Sequence, residues 1–282
     1  MLTRRTIAWN ALLLLLGVIV LFSILLVQKG VLRVSFLDVG QGDAILVTGP
    51  TGVEMLVDGG RDRSVLRELP RQLGTLDRSV SIVVATHPDA DHVAGLADVF
   101  ERYQVRSYIE SGVIHETTVT ERLSAALEKE EGLTRTVARS GQRLHLGSGA
   151  YADILYPDRD VSRVESNAGS IIMRVVYGDT SFLLTGDAPS SIEGILAAQH
   201  NTALQSDVLK AGHHGSKTST NALFLSVVTP SIVVISAGRD NTYGHPHAEV
   251  LERIRGAGAH ILSTAEEGTI EFVSDGRTVR QK

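Results

Sequence analysis

Apolar and polar positions alternate in two different ways along this chain, and the change falls near residue 30. Residues 7–27 (IAWNALLLLLGVIVLFSILLV) are almost wholly apolar, a run long enough to cross roughly 30 Å of hydrocarbon as a helix. Arg4 and Arg5 precede it and Lys29 follows, so residues 1–30 are expected to form a single transmembrane anchor. A cleaved secretory signal is the rival reading, but the apolar part is longer than such signals carry and no small-x-small site follows. The two arginines at the N-terminus favour a cytoplasmic start, which leaves the rest of the chain extracytoplasmic.

From Val31 onward the apolar residues come in short runs bounded by Gly, Pro and Asp, the signature of strands and tight turns. VLRVSFLDV, AILVTG and VEMLVDGG, separated by GQGD and PTG, predict three consecutive antiparallel strands. A helix over 64–74 follows, then SIVVATH as a buried strand that delivers His87 into a loop, then a helix over 93–103. The theme repeats: strands at VRSYIES, YADILYP, SIIMRVVYG, TSFLLTGD, DVLKAGHHG and SIVVISAG, and helices over 120–132, 190–199, 222–228 and 248–256. HILST and TIEFVSDG close the chain as edge strands. Two strand groups, each mixed with helices, predict an α/β fold of two face-to-face sheets with helices outside both, a four-layer αββα sandwich over residues 31–282.

Composition narrows the chemistry. There is no cysteine, which excludes disulfides, thiolate zinc sites and cysteine nucleophiles; any metal must be held by histidine and carboxylate. The formal charge is −5, and beyond the first 29 residues 24 basic groups face 32 acidic ones, or −8. No general basic nucleic-acid face is visible in that balance, although a local patch remains open.

The chemistry concentrates in Thr86–Gly95, THPDADHVAG. His87, Asp89, Asp91 and His92 place two imidazoles and two carboxylates within six residues. Such a group repels itself unless a cation neutralises it. A polar loop capping the next helix is the bland alternative, with Asp91 as the cap. Asp187 in FLLTGD ends a strand, and His213 and His214 end another. Neighbours on an extended segment point to opposite faces, which favours one of them, His214, as a ligand. His245 in NTYGHPH is a candidate ligand or proton donor. Lys217, Thr218 and Ser219 are placed to meet a phosphate.

HPDADH resembles the H-x-H-x-D-H motif of the metallo-β-lactamase superfamily, with Asp89 where the second histidine usually lies. The swap hardens the ligand set and admits manganese or magnesium beside zinc. The resemblance implies two divalent ions, zinc or manganese, held by His87, Asp89, Asp91, His92, Asp187 and His214. It implies Asp187 as the bridging carboxylate, Asp58 in LVDGG as the support of the metal loop, and Asp91 and His245 as catalytic groups. The superfamily's lone middle histidine has no clear counterpart: His115 and His145 lack a recognisable context, and Asn167 or Ser170 from the stretch 165–170 stands in its place. FLDVGQGDAILV, LVDGG, THPDADHVAGL, SFLLTGDA, DVLKAGHHGSKTST, SIVVISAG and NTYGHPH, in this order, resemble the extracytoplasmic hydrolase domain of ComEC-type DNA-uptake competence proteins. That likeness implies a phosphodiesterase or nuclease acting on DNA at a membrane, working with a separate channel protein. A small ester or lactone hydrolase, and a non-catalytic binding module of an envelope complex, are the alternatives.

Overall fold

A computed structural model describes residues 9–10, 12–20 and 30–282. Residues 9–10 and 12–20 are helical and exposed. Among the described residues no helix is long and apolar enough to cross a membrane. The rest of the expected anchor, residues 1–8, 11 and 21–29, lies outside the described residues.

The first sheet begins with the antiparallel strands β1 (Leu32–Phe36), β2 (Ile45–Thr48) and β3 (Glu54–Val57). Then α1 (Val65–Leu73), β4 (Ser79–Ala85), α2 (Ala90–Phe100), β5 (Gln104–Glu110), α3 (Thr118–Leu127) and β6 (Thr134–Val137) extend it by parallel pairing. The second sheet holds β7 (Arg143–Gly147), β8 (Ala150–Tyr156), β9 (Ile172–Tyr177) and β10 (Thr180–Leu184) as an antiparallel meander. After α4 (Ser190–His200) come β11 (Val208–Lys210), α5 (Ala222–Val228), β12 (Ile232–Ile235), α6 (Ala248–Gly256) and β13 (His260–Ser263), joined in parallel. A short α7 (Thr264–Glu267) leads back to the first sheet, where β14 (Ile270–Ser274) pairs with β1 and β15 (Val279–Gln281) forms the edge.

Strand alternation sorts the apolar side chains into layers. Phe36, Val47 and Met55 face Ile154, Phe182 and Leu184 across the gap between the sheets. Leu46 and Leu56, one residue along, face outward against α1 and α2 through Leu69 and Leu96. Leu209 and Val233 do the same in the second sheet, against Leu196, Phe224 and Ile254 of α4, α5 and α6. Phe272 joins the halves, edge-on to Phe36 at 6.0 Å and to Phe182 at 5.9 Å between ring centroids. Each such aromatic pair adds about 1 kcal/mol beyond its burial. The expected αββα sandwich is present.

Three strands were not anticipated. β6 (TRTV) is exposed throughout and β15 is three residues long and mostly exposed, so hydrophobic alternation carries no signal for them, whereas β7 (RLHLG) alternates over only four residues. α2 starts at Ala90 rather than residue 93, which puts Asp91 and His92 in a helical first turn instead of a loop. The functional consequence of the topology is shared by both sheets. Each changes from antiparallel to parallel pairing, at β3/β4 and at β10/β11, and the carboxyl ends of those strands open on the same crevice, the place where α/β sheets hold their sites.

Candidate metal centre

Asp58 follows β3 with φ 61°, a left-handed conformation that Asp tolerates better than most residues. Its carboxylate is completely buried. It accepts the Thr86 N–H at 2.8 Å, the Thr86 hydroxyl at 2.7 Å and His92 Nδ1 at 2.7 Å. Because the one hydroxyl proton of Thr86 goes to Asp58, the 3.0 Å contact between Thr86 Oγ1 and His87 Nδ1 must be donated by the imidazole. His214 Nδ1 lies 2.9 Å from the Ser236 carbonyl, which can only accept. So His87, His92 and His214 all carry their proton on Nδ1 and turn the Nε2 lone pair inward. All three Nε2 atoms are buried without a hydrogen-bond partner.

The lone pairs converge on carboxylates. Asp187 Oδ2 lies 3.2 Å from His92 Nε2 and 3.2 Å from His214 Nε2, yet neither contact has hydrogen-bond geometry. Separations near 3 Å between such atoms are also what two ligands of one ion show when each bond is about 2.1 Å. Asp91 Oδ2 is 3.5 Å from His214 Nε2. Ligand atoms of Asp43, His92, Asp187 and His214 all fall within 4.8 Å of one another. The donor set, with its orphaned buried nitrogens, fits a divalent ion.

Residues 37–239 match the family model described as the metallo-beta-lactamase superfamily. The chain belongs to that superfamily. It is 32% identical over 279 residues to recombination protein 2 of Haemophilus influenzae, covering 94% of this chain and 32% of that protein. It is 29% identical over 259 residues to ComE operon protein 3 of Bacillus subtilis, covering 85% of this chain and 33% of that protein. The chain thus spans about one third of the length of these curated relatives. Among solved structures, the metallo-beta-lactamase fold protein YhfI from Bacillus subtilis superposes with a TM-score of 0.55 at 11% identity, over 89% of this chain and 100% of that one. That likeness carries the fold alone.

Electrostatics in this superfamily centre reflect excess negative charge. Burial lowers the proton affinity of His92 and His214, but Asp187 outweighs it at both, with Asp58 and Asp43 assisting, and holds them well above the usual imidazole range. His87 is held well below that range by burial and by its neighbour His92. A divalent ion would displace the protons of the first two, so metal affinity and proton affinity compete there.

Two members of the centre were missed from sequence. Asp43 is 1% exposed and pairs with Lys210. Burial raises its pKa, yet the Lys210 ammonium and His214 outweigh that and bring it to about 2. GQGD was read only as a turn, although an acid between two buried strands was the available signal. Lys210, wholly buried on an apolar strand, was an equally legible anomaly. The loop holding Asp43 packs directly on α2: Asp43 N–H donates to the Asp91 carbonyl at 3.3 Å, and a Cβ on Gly42 (φ 117°) would lie 2.0 Å from that oxygen. Gly42→Ala is therefore expected to displace Asp43 and Asp91 together, lowering the melting temperature and weakening metal affinity in the same calorimetric titration. Unchanged values for both would contradict the packing.

The other expected residues distribute as follows. His213 and His214 are not on an extended segment; both are left-handed, at φ 48° and 55°, and both approach Asp187. His214 is buried, whereas the His213 side chain is 28% exposed with Nε2 3.8 Å from Asp187 Oδ2. Asp89 borders the centre with Oδ2 3.8 Å from His87 Nε2, and its Oδ1 is 3.6 Å from His115 Nδ1. His145 is exposed on β7. His245 sits at the rim, its ring centroid 5.5 Å from His213 and 6.3 Å from His214. From the stretch 165–170, Ser170 reaches the centre by accepting the Asp187 N–H at 3.2 Å, while the Asn167 side-chain oxygen is buried without a partner. Lys217 and Thr218 are exposed; Ser219 is buried and donates to the Ala188 carbonyl at 2.9 Å, so its hydroxyl faces the protein, not a phosphate.

The loop carrying these histidines is clamped by Glu193 of α4, which is fully buried. Its carboxylate accepts Thr220 N–H at 2.6 Å, Asn221 N–H at 2.9 Å and Asn221 Nδ2 at 2.8 Å. Glu193→Ala leaves those donors buried and is expected to cost about 2–4 kcal/mol of stability. Burial raises the Glu193 pKa from 4.5 to about 7. The folded state therefore binds the extra proton between those values, and this contribution to stability is present at low pH and lost as pH rises through 7. The stability gap between wild type and variant should narrow by on the order of 3 kcal/mol across that window. Denaturant melts at several pH values check it; a gap that widens with pH would refute the assignment.

Proposed function

We propose that the chain is a metal-dependent phosphodiesterase acting on DNA strands, as a homologue of the hydrolase portion of DNA-uptake proteins. The observation that carries the reading is the convergence of the buried Nε2 atoms of His92 and His214 on the Asp187 carboxylate, with Asp91 beside His214. The names of relatives, a recombination protein and a competence protein, support DNA as the substrate class. Asp91, His92, Asp187 and His214 would hold a divalent ion, with His87 and Asp89 beside them; imidazole with carboxylate suits zinc or manganese better than magnesium. Bound there, such an ion supplies a Lewis acid and an ionisable water at neutral pH.

The chain's own groups do the rest. Asp91, 22% exposed, stands at the mouth of the centre, placed to orient a nucleophile by accepting its hydrogen bond. His245 is held near pKa 4 by burial and by His213 and His214, so it enters as a neutral imidazole that donates a hydrogen bond to a phosphoryl oxygen. A phosphodiester monoanion beside it raises its proton affinity and lets it pass a proton to the leaving oxygen. Exposed Lys217 and Thr218 border the same loop and would meet the strand's backbone. The apolar segment 7–27 would tether this domain on the extracytoplasmic side of a membrane, next to a separate channel protein.

The test is hydrolysis of bis-p-nitrophenyl phosphate and single-stranded DNA by the purified chain with manganese or zinc, beside an Asp91→Ala, His92→Ala double variant. Diester cleavage by wild type and its loss in the variant is the expected result. Cleavage of p-nitrophenyl acetate with no action on diesters would move the chain to the ester hydrolases. Bound metal with no hydrolysis at all would make it a binding module.

A further inference from the structure

Lys210 is the one fully buried lysine among the described residues, and its surroundings are those of a metal ion. Its ammonium donates to the Gly186 carbonyl at 2.8 Å and to Asp187 Oδ1 at 3.3 Å, and it pairs with Asp43 Oδ2. Three N–H donors thus meet three oxygens. Two carboxylate oxygens and a carbonyl around one point are also the ligand type a hard divalent cation takes. Asp187 is divided by this arrangement. Its Oδ1 belongs to Lys210, and its Oδ2 belongs to His92 and His214.

We propose that Lys210 is a built-in cation standing where a second metal ion would otherwise be needed, so that the centre holds one divalent ion, on the Oδ2 side of Asp187. The inference rests on the metal-centre reading above and goes beyond it in setting the stoichiometry. Bridging of two ions through both oxygens of Asp187 is closed here, because Oδ1 is already satisfied by the ammonium. Ser170, where the superfamily's middle histidine would stand, offers a hydroxyl that is engaged with the Asp187 N–H. His87 and Asp89 are then left with too few neighbours for a closed second site, which takes at least three protein ligands. A covalently attached charge also needs no capture from solution, so the negative field of Asp43 and Asp187 is balanced in every molecule, loaded or not.

The full chain, equilibrated with Mn2+ and desalted, is analysed for metal by mass spectrometry and by electron paramagnetic resonance, beside Lys210→Ala. Wild type is expected to hold one ion with an uncoupled mononuclear spectrum. Lys210→Ala, which vacates the three oxygens, is expected to hold two, with an exchange-coupled spectrum, and to gain more thermal stability from Mn2+ than wild type does. Two coupled ions in wild type, or one ion in both proteins, would overturn the proposal and leave the metal-centre reading standing. No bound ion in wild type would overturn both. Should Lys210→Ala fail to fold, the wild-type spectrum decides alone: mononuclear supports the built-in cation, coupled refutes it.

Discussion

Asp187→Asn is expected to abolish metal retention and hydrolysis together while leaving a folded chain. Asp187 is 3% exposed and ionised under all working conditions: burial raises its pKa, but His214, His92 and Lys210 hold it well below the carboxylate range. The asparagine keeps its shape and loses the charge that faces two imidazoles and an ammonium. Removing one such electrostatic partner from a closed site costs about 3–4 kcal/mol in the transition state, or roughly 10^2–10^3 in rate, and the lost ligand adds to that. The same change leaves Lys210 with a single carboxylate, Asp43, so the melting temperature should also fall. Metal analysis, hydrolysis rates and thermal melts on one preparation check all three. Activity within tenfold of wild type would show that Asp187 does not hold the ion.

Asp58 should show the complementary behaviour, acting on the metal without touching it. Asp58→Ala deletes acceptors for Thr86 N–H, Thr86 hydroxyl and His92 Nδ1. It also puts a residue that resists φ 61° at that position. A loss of about 3 kcal/mol or more in folding stability is expected. Asp58→Asn separates support from folding, since asparagine accepts the left-handed backbone but must turn its NH2 toward one of the donors. His92 then loses its fixed tautomer, and metal affinity should drop on the order of 10–100-fold with the fold retained. Isothermal titration with Zn2+ reads the first quantity and calorimetric melting the second. Equal affinity in Asp58→Asn and wild type would show that the Asp58–His92 contact does not set the ring.

The two variants also mark how far sequence reasoning reached. His87, Asp91 and His92 were legible as a candidate metal motif because acids and histidines crowded into one short stretch have few other uses, and Asp187 as a strand-end acid that follows it; the strand ends gather them at one crevice. His214 over His213 was favoured on an alternation argument, whereas the inward placement of His214 comes from two consecutive left-handed residues and the hydrogen bond from its Nδ1 to the Ser236 carbonyl. Ser219 was expected to meet a phosphate, and a single hydrogen bond to the Ala188 carbonyl turns its hydroxyl inward.

By itself, the sequence determined the layers of the sandwich, since the period of apolar residues dictates which faces must be buried, and it determined the metal motif, since four ligand-type side chains within six residues stay neighbours in any fold. Only the tertiary structure decided the charge balance of the centre. Asp43 lies in a turn of the first sheet and Lys210 on a strand of the second, and neither flanking sequence names the other. Their pairing exists because the two sheets pack with their parallel strand ends over one crevice, where a buried charge is tolerable only beside its opposite.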